Sequence, residues 1–136
     1  MATFTKFNAF VENVAEGVHN LGSNQLVIAL TNTAPSAANS VLADITQITY
    51  TNLSSRNVTT SSSSQTSGTY SLVCTDLVLT ASGGSVGPFR YAVLYNDTPT
   101  SPADPLIGYW DYGSSVTLAS GETFTVDFGA NVLTLV

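Results

Sequence analysis

At 136 residues, with 43 % hydrophobic and only 9 % charged side chains, the chain is long enough to close one core without staples, and its surface must be built from Ser, Thr, Asn and Gly rather than from ions. A net charge of −6, with Lys6, Arg56 and Arg90 as the only basic residues, argues against a nucleic-acid partner or an anionic membrane surface, since both need clustered cations. Cys74 is the only cysteine, so no internal disulfide can form, and with a single histidine a zinc site of nitrogen and sulfur ligands cannot be assembled within the chain.

In chain order, Phe4 to Leu21 reads as one helix. Phe7, Phe10, Val11, Val14, Val18 and Leu21 recur at spacings of three and four and draw one apolar stripe. Thr3 or Thr5 is the expected N-cap, Gly22 suits a left-handed C-terminal cap, and His19 falls in the last turn, where a protonated imidazole would favour the helix dipole. The stripe either covers one end of a sheet in its own subunit, the favoured reading, or docks on a neighbour. Gln25 to Thr33 is apolar on both parities and reads as a central strand. Ser36 to Ile48 is a connection, with one helical turn anchored by Val41, Leu42, Ile45 and Ile48.

The stretch 54–68 is rich in Ser and Thr and is expected to be an exposed loop leading into an edge strand. Tyr70 to Ala81 reads as a long strand whose apolar parity changes near Asp76, which suggests a bulge, with Cys74 as a small buried core residue. The centre of the chain is 88–127. Phe89, Tyr91, Val93 and Tyr95 alternate with Arg90, Ala92 and Leu94, and further strands are expected at Leu106 to Tyr112, Ser115 to Ala119, Glu122 to Phe128 and Val132 to Val136. Asn96 to Pro105 carries three prolines and two aspartates and reads as a stiff exposed loop. Seven or eight short strands at this spacing predict one all-β domain over 1–136: an antiparallel β-sandwich, jelly roll included, with a single N-terminal amphipathic helix. No apolar run approaches the length of a membrane span, and no signal peptide is expected.

Candidate chemistry is sparse. Gly83-Gly84-Ser85-Val86-Gly87 fits the G-x-S-x-G pattern, but a proline and an alternating strand follow it instead of a helix, and His19 precedes the serine. A glycine-rich hairpin turn is the preferred account. Asp97, Asp104 and Asp111 bracket the proline loop as weak calcium candidates without the spacing of a calcium-binding loop. Asp111 with Glu122 and Asp127 could be imagined as a glycosidase pair. Asn52-Leu53-Ser54, Asn57-Val58-Thr59 and Asn96-Asp97-Thr98 match the glycosylation sequon, as chance allows in so Ser/Thr-rich a chain. No catalytic role is expected, and no cofactor.

Several stretches carry a resemblance. They are Val18-His19-Asn20-Leu21-Gly22, Leu30-Thr31-Asn32-Thr33-Ala34-Pro35, the run from Ala81 through Gly87-Pro88-Phe89-Arg90-Tyr91, Leu94-Tyr95-Asn96-Asp97-Thr98, the run from Pro105 through Tyr109-Trp110-Asp111-Tyr112 to Ser115, and Gly121 to Phe128. Over nearly the whole chain this resembles a family of small structural proteins of tailed bacteriophages, with the stretches around Gly87 and Trp110 the most specific. The resemblance implies a non-enzymatic virion component, made in the bacterial cytoplasm, that decorates or cements the outer head surface. It further implies a homotrimer that contacts the major capsid protein, with neither nucleic acid nor membrane as a partner. A tail or fibre component that binds a host receptor is the alternative. Contacts are expected from the helix stripe (Phe7, Val14), the proline loop (Pro99, Pro102) and the aromatic set Tyr109, Trp110 and Tyr112, part of which would face a partner rather than the core.

Overall fold

The computed structural model describes residues 2–136. In chain order these form β1 (Thr5–Lys6), α1 (Asn8–Ala15), β2 (Leu26–Thr31), a 3₁₀ turn (Leu42–Asp44), β3 (Asn57–Val58), β4 (Thr60–Thr66), β5 (Thr69–Cys74), β6 (Leu77–Thr80), β7 (Val86–Asn96), β8 (Leu106–Leu118), β9 (Thr123–Val126) and β10 (Leu133–Leu135). The fold is all-β and sandwich-like, with antiparallel pairing throughout. One sheet has the order β1-β8-β7-β2-β3; β10-β5-β4 and β6-β9 make two smaller sheets.

Alternation along β2 explains the layers. Leu26, Ile28 and Leu30 join Ala92, Leu94 and Ile107 in a core closed from the other side by Leu72, Cys74, Leu79, Val126 and Leu133. Val27 and Ala29 face the opposite way, into a second cluster with Phe7, Ile45, Val93, Tyr95 and Leu106. All six residues of β2 are therefore buried, as its two apolar parities predicted. Full burial of each large side chain contributes about 1.5–3 kcal/mol, so strands buried on both faces fix the register most strongly. The connection through the 3₁₀ turn lies over the second cluster, with Ile45 buried in it and Leu42 packed beside it.

Two irregularities in the β7–β8 ladder set the direction of the aromatic residues. Leu94 pairs with Gly108 but Tyr95 with Leu106, so Ile107 is an extra residue that faces the main core on the side of Leu94, while Leu106 faces the second cluster with Tyr95. Further along, Tyr91 pairs with Asp111 and Phe89 with Val116, so β8 carries surplus residues between Asp111 and Val116 and Tyr112 is carried out to solvent.

The helix is shorter than its stripe suggested, Asn8–Ala15 rather than 4–21. Phe4 and its neighbours leave the helical pattern because Gly108, having no side chain, makes room for the Phe4 ring, and Thr5 and Lys6 pair with β8. Phe7 takes the N-cap position in extended conformation without a side-chain cap, so neither Thr3 nor Thr5 serves there. Gly17, at φ +77°, is the left-handed residue that follows the helix; Gly22 does not play that part. Within the stripe Phe10 and Leu21 are buried and Val14 packs against the core, but Val11 is 53 % exposed.

Other expectations change: the two strands expected at Leu106 to Tyr112 and Ser115 to Ala119 are one, β8. Much of the stretch 54–68 is strand: Asn57–Val58 pairs with β2, and Thr60–Thr66 is a full edge strand of the β10-β5-β4 sheet, turning at Ser67 and Gly68. The parity change near Asp76 is a change of sheet, since β5 pairs with β4 and β10 whereas β6 pairs with β9; Asp76 Oδ1 accepts from the Phe128 N–H there (2.9 Å). The glycine-rich run 83–87 is no hairpin either. It carries the chain from β6 in one sheet to β7 in another.

Candidate interaction surface

The aromatic residues of β8 divide between the two sides of their strand. Trp110 is half-buried, its ring edge-on to Phe128 (centroids 5.7 Å apart) and tilted against Phe4 (5.2 Å). Tyr109 packs on Phe7 (5.3 Å) in the second cluster. Tyr112 is 57 % exposed and meets Phe124 edge-on (5.0 Å), which in turn meets Phe89 (5.0 Å). Trp110, Tyr112, Phe124 and Phe89 line a groove of about 360 Å³, with Arg90 and Asp127 among its polar lining.

Of the residues expected to make contacts, Phe7 is fully buried and belongs to the core, because the chain turns from β1 into α1 directly over the second cluster. Val14, Pro99, Tyr109 and Trp110 are half-buried, while Pro102 and Tyr112 are exposed. Of the helix stripe, Phe10, Val14 and Leu21 pack in or against the core of their own chain.

The carboxylates do not converge. Asp111 accepts two hydrogen bonds from Arg90, Nε to Oδ1 at 2.8 Å and Nη2 to Oδ2 at 3.1 Å. The guanidinium lowers the Asp111 carboxyl, and Asp111 raises Arg90. Asp97 and Asp104 stand together: desolvation, then the negative charge of Asp97, pushes the Asp104 carboxyl up. The β7–β8 register places Asp111 opposite Tyr91, whereas Asp97 and Asp104 lie in the connection beyond Asn96, and among the described residues no three His, Cys, Asp or Glu side chains are grouped to hold a metal ion. Glu122 accepts from the Ala119 N–H (2.7 Å) and Asp127 from the Gly129 N–H (2.8 Å), so both fasten turns.

His19 lies beyond the helix, against Phe10 (5.2 Å), and is neutral rather than a protonated cap. Burial lowers its pKa from 6.5 to about 4. Its partner is Asn96, which is fully buried. The Asn96 amide nitrogen donates both to Asn24 Oδ1 (2.9 Å) and to His19 Nδ1 (3.0 Å), while its oxygen accepts from the Thr98 N–H (3.1 Å). With both amide hydrogens used, Nδ1 must accept, so the ring proton sits on Nε2, a buried atom without a protein partner. Ser85 is exposed and is not among the partners of His19. Burial also withdraws the Asn96 sequon, whereas Asn52 and Asn57 are exposed.

Two features were not legible as such beforehand. Asn96 reads as the start of a polar loop, and only its place at the end of an apolar run marks it as a buried hub. The β4 edge is hidden by its Ser/Thr composition. Residues 61–66 are all exposed on the outermost strand of their sheet. The chain matches no protein-family model, no curated protein and no solved structure.

Proposed function

We propose that the chain is a non-enzymatic structural protein of a bacteriophage virion that binds the outer surface of the head and stabilises the shell. The sequence resemblance around Gly87 and Trp110 supports this reading. The observation that carries it is where the reactive groups are spent. Arg90, Asp111, Glu122, Asp127, His19 and Asn96 all hold the fold together. What the chain presents outward is hydroxyl and amide surface and the exposed Tyr112 and Pro102. Such a surface suits adhesion to neighbours through polar and aromatic contacts better than turnover of a substrate.

The test uses heads of the encoding phage prepared without this protein. Added back, it should sediment with the heads to saturation and raise the temperature at which they release DNA. The groove beside Trp110 favours the second reading, a host-recognition module on a tail or fibre. Saturable adsorption to host cells, with no retention on heads, would replace the first reading by the second.

A further inference from the structure

We propose that β4 is a docking edge for a second copy of this chain: two β4 strands pair antiparallel about a two-fold axis at Ser64, joining two β10-β5-β4 sheets into one of six strands. The inference stands apart from the shell-binding reading and rests on three observations.

The first is the edge itself. β1 and β3, at the ends of the large sheet, have two residues each, β10 has three, and β6 and β9 have four each; β4 has seven. Folded proteins protect long edges with charge, proline, bulges or a covering element. β4 has a register shift between Thr60 and Ser62, and from Ser62 to Thr66 it has no other such device. No strand lies on its outer side, and its side chains there are exposed.

The second is the register. Ser67 and Gly68, at φ +51° and +86°, form a two-residue turn that closes on the pair Thr66 and Thr69. Alternation from that pair turns the main-chain groups of Thr66, Ser64 and Ser62 toward β5 and those of Ser63 and Gln65 outward. Antiparallel pairing centred on Ser64 places Ser63 opposite Gln65 of the second copy, and Gln65 opposite its Ser63. Four main-chain hydrogen bonds result, and the two Ser64 side chains meet across the axis as a close, non-hydrogen-bonded pair. The strand is complementary to itself, as a two-fold interface requires.

The third is charge. The chain carries −6, yet residues 57–75 contain no ionised side chain. Two copies can meet along this hairpin without opposing like charges. The shorter edge of β9, by contrast, is flanked by Glu122 and Asp127. A contact along one strand falls below the roughly 1,200 Å² of a standard interface, so the dimer should be concentration-dependent.

Sedimentation velocity of the full chain over a micromolar-to-millimolar dilution series tests this. Wild type should pass from monomer to dimer. Ser64→Lys and Ser64→Glu should each stay monomeric, and their equimolar mixture should dimerise again. Gln65→Pro, which removes an outward N–H and no main-chain bond to β5, though it also removes the Gln65 Oε1 bond to the Gly68 N–H (3.0 Å), should also be monomeric, with far-ultraviolet circular dichroism confirming its fold. A wild type that stays monomeric overturns the proposal, as does one that forms the trimer implied by the resemblance. A dimer indifferent to all three substitutions, or a Lys/Glu mixture that stays monomeric, overturns it as well. None of these results bears on retention by phage heads.

Discussion

Between pH 7 and pH 4, the proton uptake of His19 should destabilise this protein. The imidazole is held neutral because the ring is buried beside Phe10, and the Asn96 donor at Nδ1 fits that neutral form. Protonation at Nδ1 would set two N–H donors against each other, and Asn96 cannot rotate without losing Asn24 and Thr98. The unfolded chain takes up the proton near pH 6.5, whereas the folded chain refuses it until about pH 4. The unfolded state therefore binds more protons throughout that interval. The stabilisation is complete above pH 6.5, shrinks as pH falls, and is gone below about 4. At about 1.4 kcal/mol per pH unit the upper limit is about 3 kcal/mol. Partial contact of the ring with solvent reduces this to about 1–2 kcal/mol. Urea unfolding of wild type and His19→Gln at a series of pH values should show their stability difference shrinking by that amount between pH 7 and pH 4. Because the chain has one histidine, its imidazole resonances can be assigned without ambiguity. An imidazole that titrates at or above 6.5, or a neutral form protonated on Nδ1, would refute the reasoning.

Gly108→Ala should free the N-terminus: a Cβ there would overlap the Phe4 ring and come within 2.9 Å of the Thr5 carbonyl oxygen. The expected cost is about 1–3 kcal/mol, and amide exchange at Thr5 and Lys6 should rise well before global unfolding. Gly87→Ala combines φ +123° with a Cβ placed 2.7 Å from the Val116 carbonyl oxygen. It should lower stability by at least about 1–3 kcal/mol in a urea titration and loosen the β7–β8 pairing around Val86. Leu30→Ala, at a fully buried site, should cost about 2–5 kcal/mol, whereas Val11→Ala, at a half-exposed one, should stay within about 0.5 kcal/mol.

The strands were readable wherever one residue type repeated at a fixed period. β7 announces itself through the alternation of Phe89 to Tyr95, and β2 through a run apolar on both parities, because a strand covered on both faces has no wet side. The pegs Leu42 and Ile45 are legible from a different period, the spacing of three that one helical turn imposes. The helix was over-extended because Phe4 and Leu21 fall on its period by coincidence: Phe4 fills space left by Gly108, more than a hundred residues away, and no local pattern encodes such a contact. The sequence hides β4 because its partner supplies the hydrogen bonds and its side chains are exposed, so hydrophobic alternation never arises. The candidate surface was half legible. Exposure of Tyr112 depends on surplus residues in β8 that appear only when β7 is set beside it, and the burial of Phe7 depends on a second cluster outside the main core. The carboxylates were visible as residues, but their pairing with Arg90 or with turn N–H groups is a matter of register.

The proposed head-surface role is tested most directly by a cryo-electron microscopy reconstruction of phage particles made with and without this chain, at a resolution where strands separate. The account predicts β-sandwich density in repeated copies on the outer face of the head, touching the shell, with that density absent from particles lacking the gene. Density confined to the tail or fibre, or a complete particle without this protein, would contradict it.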